Sequence, residues 1–150
     1  KMVEQVTAIA QSAGECPCVL TTSRRTPSNF LSLLQREAPA NLEMVPVEDT
    51  GPTWVAERLE ESSFAWISED SVSMTYEALT AGCQVGLLET PMRGAPGRVV
   101  RGAAALQRDG WVTSFSDWRP GQELGRAPED FNEANRCAKA ILERWFRSES

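Results

Sequence analysis

The chain has 150 residues, 41% of them hydrophobic, and carries a formal net charge of −6 from 15 Lys and Arg against 21 Asp and Glu. This length and composition predict one domain, residues 1–150, with enough apolar side chains for a sizeable core. Because no run of five or more basic residues occurs, a nucleic-acid-binding surface is not expected. No segment has the length and hydropathy of a transmembrane helix or the pattern of a signal peptide.

Histidine is absent from the chain, which excludes a histidine-based acid–base or triad mechanism carried by this chain alone. The four cysteines, at positions 16, 18, 83 and 137, form no CxxC pair, so no metal site is expected. We expect buried structural thiols, no bound cofactor and a reducing compartment. That compartment is expected to be the cytoplasm, with the protein at most peripheral to the inner membrane.

Hydrophobic periodicity predicts helices that alternate with strands along most of the chain. Thr26 as N-cap and Pro27 at the first helical position open the second helix. Asp70 or Ser71 supplies an N-cap oxygen to the fourth helix, and Gly82 ends it. The predicted elements are, in chain order, helix 2–13, strand 16–21, helix 27–37, strand 42–47, helix 54–61, strand 64–67, helix 71–82, strand 85–88, helix 98–108, an edge strand or extended segment 111–115 and helix 128–145.

Alternating strands and helices are typical of an α/β protein with a mainly parallel sheet. The predicted fold is therefore Rossmann-like, with three α/β/α layers. Residues 92–97 and 116–128, rich in Pro and Gly, are predicted to be connections without regular structure. The first residues, Lys1-Met2-Val3-Glu4, begin inside an amphipathic pattern, which favours a piece of a longer protein that lacks an amino-terminal domain.

Three polar loops are predicted to share one edge of the sheet, because the carboxyl ends of parallel strands lie there. They are 22–26 after the first strand, 68–73 after the third and 89–97 after the fourth. Hydroxyl groups, arginines and helix N-termini together suit a diphosphate, and a guanidinium offers a bidentate fork to phosphate oxygens. The predicted substrate-binding residues of these loops are Ser23, Arg24, Arg25, Thr26, Asp70, Ser71, Ser73, Thr90 and Arg93.

Glu77 completes the predicted site, since it lies four residues after Ser73 on the same helical face. Its carboxylate can accept two hydrogen bonds from ribose hydroxyls of a ligand that lies along the helix. The residues alone leave a second interpretation open, in which Asp70 and Ser71 are ordinary helix caps and the charged residues are merely solvated. The absence of a GxGxxG sequence argues against a dinucleotide site.

Three motifs carry a resemblance to a known family. Thr22-Ser-Arg-Arg-Thr-Pro27, Ser68-Glu-Asp-Ser-Val-Ser-Met-Thr-Tyr-Glu-Ala78 and Gly82-Cys-Gln-Val85 resemble the mitochondrial-fission-factor family of plants and its bacterial relatives. The bacterial members are described as nucleoside-diphosphate-sugar enzymes. The pattern also looks like the carboxyl-terminal half of GT-B glycosyltransferases, and the resemblance covers roughly residues 15–145.

This resemblance implies roles for individual residues. Ser23, Arg24 and Arg25 would lie at the phosphates, Asp70 and Ser71 would cap the helix that faces them, and Glu77 would hold the ribose. It also implies a missing amino-terminal domain, which in GT-B enzymes carries the acceptor site and usually the base, so no catalytic residue is assigned in this chain.

The chain departs from the family pattern in two places. A glycine-rich turn before the first helix is absent, and Thr113-Ser114-Phe115 stands where a basic residue followed by proline is expected. Contacts from that segment are therefore not carried over.

Two functions follow from the resemblance. The first is a nucleotide-sugar-binding domain of a GT-B-type glycosyltransferase, whose partners are a nucleoside-diphosphate sugar and the missing amino-terminal domain. The alternative is a non-catalytic scaffold that recruits a partner, as the fission-factor resemblance suggests, because a fold does not determine a function. A sugar-nucleotide epimerase is not expected, since Tyr76 is the single tyrosine and position 80 is Thr rather than Lys.

Overall fold

The computed structural model of the protein describes residues 1–91 and 98–131, with side chains from residue 102 onward in the second range. The predicted loop 92–97 and the predicted final helix after Phe131 lie outside the described residues. The described elements are α1 Met2–Ser12, β1 Cys18–Thr21, α2 Phe30–Gln35, β2 Leu42–Val45, a 3-10 turn Val47–Asp49, α3 Trp54–Glu61, β3 Phe64–Ser68, α4 Val72–Thr80, β4 Gln84–Leu88, α5 Arg98–Arg108 and β5 Val112–Ser114.

The described strands pair in parallel, as the alternation of strands and helices predicts. β1 pairs with β2, and β4 lies between β3 and β5. A single antiparallel bridge, Val85 to Gly125, extends the β5 side of β4. The fold is thus a Rossmann-like α/β fold, although its hydrogen bonds form a two-stranded and a three-stranded sheet rather than one continuous sheet.

Two apolar clusters lie on opposite faces of the strands and make three layers. Alternation along β4 sends Val85 and Leu87 into the first cluster, with α3, α4 and α5, and Leu88 into the second, with α1 and α2. The first cluster also buries Leu59, Ala78, Leu79, Cys83, Leu106, Val112 and Ala127. The second is formed by Val6, Ile9, Leu34 and Trp118, with Trp66 and Phe115 packed against them.

Two glycines have structural roles in the β3–β4 region. Gly82, at a φ of +87°, ends α4 while the Cys83 N–H donates to the Ala78 carbonyl and the Gly82 N–H to that of Leu79, the Schellman arrangement. Gly86 lies directly beneath the indole of Trp66, and a Cβ there would overlap the indole ring. Only glycine therefore fits this position without moving Trp66.

The prediction for the second helix is wrong at its start. Thr26 does not cap it, because its Oγ1 accepts the Ser23 N–H at 2.9 Å within a turn. The helix begins at Phe30, with Asn29 as its N-cap residue, and ends at Gln35. The turn chemistry of Ser and Thr therefore outcompetes helix initiation at Pro27, and the helix N-terminus is displaced from the end of β1.

The prediction of buried cysteines is confirmed for Cys83, which has no exposed surface and donates through Sγ to the Leu59 carbonyl at 3.2 Å. It is wrong for Cys16, which is exposed because β1 begins only at Cys18. Cys137 lies outside the described residues. Within residues 1–91 and 98–131, no helix has the length and hydropathy needed to cross a membrane.

Candidate functional site

The ends of β1 and β3 flank a point where the chain changes direction. After β1 the chain enters α2, whose Leu34 packs in the α1-side cluster, whereas after β3 it enters α4, whose Ala78 and Leu79 pack on the other face. The loops after β1 and β3 therefore leave toward opposite faces and meet through contacts of Arg25, and open α/β sheets bind ligands where successive connections diverge in this way. We call this the switch-point crevice and define it by residues 22–26 and 68–71.

The β1 side of the crevice is a tight polar turn. The Thr26 N–H donates to the Ser23 carbonyl at 3.0 Å, and the Arg25 N–H donates to Ser23 Oγ at 3.2 Å. Together with the bond from the Ser23 N–H to Thr26 Oγ1, these bonds use the Ser23 and Thr26 side chains to shape the turn. The side chains of Arg24 and Arg25 are exposed at its tip. The turn therefore presents two positive charges at the end of β1.

Arg25 joins the two sides of the crevice. Its Nη1 lies 3.3 Å from Asp70 Oδ2, and its Nη2 donates to Ser71 Oγ at 3.5 Å. The Arg25 side chain is 68% exposed and that of Asp70 is 45% exposed, so the pair is solvated and its strength is modest. Residues 46 positions apart in sequence are thus brought together as the sheet edge predicts.

Ser71 stands at the N-cap position of α4, but it makes no side-chain cap hydrogen bond. Its hydroxyl lies 3.2 Å from Ser68 Oγ and accepts from Arg25 instead. The expectation of an Asp70 or Ser71 cap oxygen is therefore wrong, because both side chains are turned toward Arg25. The main-chain N–H groups in the first turn of α4 consequently have no side-chain cap. The helix dipole favours negative charge at this end of the helix.

The remaining predicted site residues lie at different places around the crevice. Ser73 and Glu77 are exposed on α4. Thr90 lies after β4, where its N–H and Oγ1 both donate to Glu69 Oε1 at 2.8 and 3.2 Å, so it is tied to the β3 loop. Arg93 lies outside the described residues.

Sequence reasoning missed two carboxylates that organise the neighbouring loops. Glu69 follows β3 and accepts from Thr90 after β4, and Glu89 follows β4 and accepts from the Ser116 N–H after β5 at 3.2 Å. The bond from Ser116 and the nearby Lys1 ammonium lower the pKa of Glu89. A Glu directly after each of two successive strands was a signal in the sequence for this repeated arrangement.

Gln5 is the third residue that the sequence did not reveal. It is 2% exposed in α1, and its side-chain amide pairs with the main chain of Glu89: Nε2 donates to the carbonyl, and Oε1 accepts the N–H, both at 2.9 Å. The sequence indicated this role only by a polar residue among the apolar positions of α1. Gln5 fixes the start of the loop that follows β4 to the amino-terminal helix.

The part of the chain that the structure describes contains no group of three His, Cys, Asp or Glu side chains that could hold a metal ion. A cavity of about 630 Å³ is lined by Ala104, Gln107, Arg108 and Asp117. None of the predicted site residues within 1–91 lines it. The chemistry available at the switch-point crevice is therefore that of guanidinium, hydroxyl and main-chain donors.

Comparison with known proteins gives one match. The model of the family described as Mitochondrial fission ELM1 matches residues 1–145. Neither the curated proteins nor the solved structures that were searched contain a match. Since the family model spans nearly the whole chain, the protein belongs to the mitochondrial fission ELM1 family.

Proposed function

We propose that the switch-point crevice binds the diphosphate of a nucleotide sugar, and that residues 1–150 form the carboxyl-terminal domain of a GT-B-type glycosyltransferase. The observation that carries this proposal is the contact of Arg25 with Asp70 and Ser71, at 3.3 and 3.5 Å, across the crevice. It brings a guanidinium from the end of β1 to the N-terminus of α4. Membership in the ELM1 family agrees with this proposal at the level of the family.

The proposed phosphate site consists of donors that need little rearrangement. The guanidinium of Arg25 has N–H groups that face solvent, the hydroxyls of Ser68 and Ser71 lie side by side at 3.2 Å, and the first turn of α4 contributes main-chain N–H groups. A diphosphate would replace Asp70 as the partner of Arg25. Asp70 therefore holds the guanidinium over the crevice in the free protein and competes with the ligand in the bound one.

The proposed chemistry is stabilisation of the leaving group. Negative charge grows on the nucleoside diphosphate as the sugar departs, and Arg25 with the N-terminus of α4 would offset it without a metal ion. Ser23, Arg24, Thr26, Ser73, Thr90 and Arg93 would complete the phosphate side, and Glu77 would bind the ribose. The acceptor site and the base would belong to a further, amino-terminal domain.

The test is binding of uridine, guanosine and adenosine diphosphates and their sugar conjugates, measured by calorimetry and thermal stabilisation. We expect Arg25→Gln and Glu77→Ala each to weaken binding of the preferred diphosphate about tenfold, which is about 1.4 kcal/mol. Arg36→Gln is the matched control, because Arg36 is an exposed arginine just after α2. Equal losses in the Arg25 and Arg36 variants would show that only overall charge matters and would overturn the site.

The second candidate function, a partner-recruiting scaffold, is favoured by the family description. Val19 in β1 and Leu33 in α2 are large apolar side chains that are 45% and 42% exposed. A scaffold requires no nucleotide, so no stabilisation by any of the diphosphates would favour it over the transferase.

A further inference from the structure

Two cysteines stand together at the amino end of β1. Cys16 is exposed and Cys18 is half-buried, and both are free thiols. Only Pro17 separates them, and the chain bends at Cys16 before the strand begins. They lie at the end of β1 opposite the switch-point crevice, so the proposed diphosphate site does not use them.

The thiols of both cysteines lie against the short stretch of main chain between them. Cys18 Sγ lies 3.6 Å from the Cys16 carbonyl oxygen, and Cys16 Sγ lies 3.8 Å from the Pro17 carbonyl oxygen. Two residues of fully extended chain span at most about 7 Å, and the bend at Cys16 shortens that distance. The Cα atoms of a disulfide are usually about 4.4 to 6.8 Å apart, so this pair lies within bridging range.

Asn41 holds the pair in place. Its Nδ2 donates to the Cys16 carbonyl at 3.0 Å and to the Ala10 carbonyl at 2.9 Å, and it lies 3.9 Å from Cys18 Sγ. The Cys18 N–H donates to the Asn41 carbonyl at 2.8 Å. One side chain thus connects both cysteines to the end of α1.

We propose that Cys16 and Cys18 form a reversible dithiol–disulfide site that reacts with low-molecular-weight disulfides such as oxidised glutathione. The inference is independent of the proposed nucleotide-sugar function. Exposed disulfides are readily reduced, and this one would be exposed at Cys16. In a reducing compartment such a pair is a dithiol at rest and a disulfide under oxidation.

The two thiols act in a fixed order. The exposed Cys16 thiolate attacks oxidised glutathione, forms a mixed disulfide and releases one glutathione thiolate. Cys18 then loses its proton, and its sulfur attacks Cys16 Sγ, which breaks the mixed disulfide and releases the second glutathione. Two protein thiols are oxidised as one oxidised glutathione is reduced to two thiols. Burial and the neighbouring Cys16 raise the pKa of Cys18, which disfavours Cys18 as the thiol that makes the first attack, because a protonated thiol is not the nucleophile.

The test is incubation of the protein with oxidised glutathione, followed by acid quenching, alkylation of the remaining thiols and mass measurement. We expect Cys16 and Cys18 of the wild-type chain to escape alkylation without retaining glutathione, and peptide mapping to place the bond between them. Cys18→Ser should retain one glutathione on Cys16. Cys16→Ser should keep Cys18 reduced. Added reduced glutathione should restore both thiols.

Cys83→Ser is the matched control and should behave as the wild type, because the Cys83 thiol is fully buried. Far-ultraviolet circular dichroism of each variant checks that it is folded. Three results would overturn the inference: a wild-type chain that stays fully reduced, one that retains glutathione on Cys16, or one whose disulfide joins Cys137 to either cysteine.

Discussion

The β3–β5 half of the protein, β3 to β5 with α4, is packed differently from the β1–β2 half, β1 and β2 with α2. In β4 every residue from Val85 to Leu88 is buried, with Val85 at 0% and Leu87 at 3% exposure, whereas β1 alternates between half-buried and exposed residues. The carboxyl-end loops differ in the same way. Glu69 and Glu89 bind neighbouring loops in one half, while the turn before α2 is held mainly by its own Ser and Thr.

We infer from this difference that the two halves have different roles. Dense packing around β4 supplies most of the stability, and the β1–β2 half presents exposed charge near the N-terminus of α4. The halves meet where Arg25 contacts Asp70 and Ser71. If this division holds, substitutions in the β3–β5 half should change the free energy of unfolding, and those at the arginine turn should change binding instead.

Gly86→Ala should have the largest effect on stability. The added methyl group would overlap the indole of Trp66, which is itself packed edge-on against Trp118 and Phe115, with centroids 5.2 and 6.1 Å away. Overpacking of this kind should lower the free energy of unfolding in urea by about 3 kcal/mol. Gly51→Ala is the control, because a Cβ at Gly51 has no atom within 4 Å. Equal effects of the two substitutions would contradict the dense packing inferred for β4.

Gln5→Ala should have the next largest effect. The substitution leaves the buried N–H and carbonyl of Glu89 without their side-chain partner, at a cost of about 2 kcal/mol in the free energy of unfolding. Gln11→Ala, at an exposed position of the same helix, should change it little. A cost no greater than that of the control would mean that α1 does not fix the loop after β4.

Glu89→Gln should have a smaller effect that depends on pH. The pKa of Glu89 is lowered in the folded protein from an ordinary value of 4.5. Its stabilising contribution, about 1 kcal/mol or less, is therefore complete above that value and is lost as the pH falls through the lower, folded-state pKa. The gap in unfolding free energy between wild type and variant should be visible at neutral pH and close in acid. Glu60→Gln, an exposed residue of α3, serves as the control, and a gap independent of pH would exclude this role for the carboxylate.

Asp70→Asn should have the smallest effect on stability, about 0.5 kcal/mol or less, because its pair with Arg25 is exposed. The same substitution should strengthen diphosphate binding about threefold, since it removes a negative charge close to the phosphates. Isothermal calorimetry measures the affinity, with Asp109→Asn as an exposed control of the same charge change. Weaker binding in the Asp70 variant would instead mean that the carboxylate positions Arg25 in the bound state.

Much of the fold could be predicted because its signals are local. Polar segments flank the apolar runs at β3 and β4, and a glycine ends α4. The structure confirms these elements. The start of α2 could not be predicted, because Thr26 had two competing uses. As an N-cap it would satisfy one helix N–H, and as the end of a Ser23–Thr26 turn it satisfies the Ser23 N–H.

The sequence predicted which residues belong to the candidate site better than it predicted the contacts between them. Parallel strands place Arg25 and Asp70 at one edge, and the structure brings their side chains together. Ser71 makes no cap hydrogen bond, and its hydroxyl accepts from Arg25 instead. This contact joins residues that are distant in sequence, so no local pattern predicts it. The division of the strands into two sheets depends on long-range pairing in the same way.

The packing of Trp66 against Trp118 gives the second apolar cluster an optical signature of its own. Two indoles with centroids 5.2 Å apart and ring planes at 76° are close enough for their electronic transitions to couple, and such coupling appears as a paired band in the circular dichroism of the aromatic side chains. The band exists only while β3 and the segment after β5 are packed together. Followed during denaturation beside the peptide signal of the whole chain, it would reveal whether this cluster melts together with the helices and strands or before them.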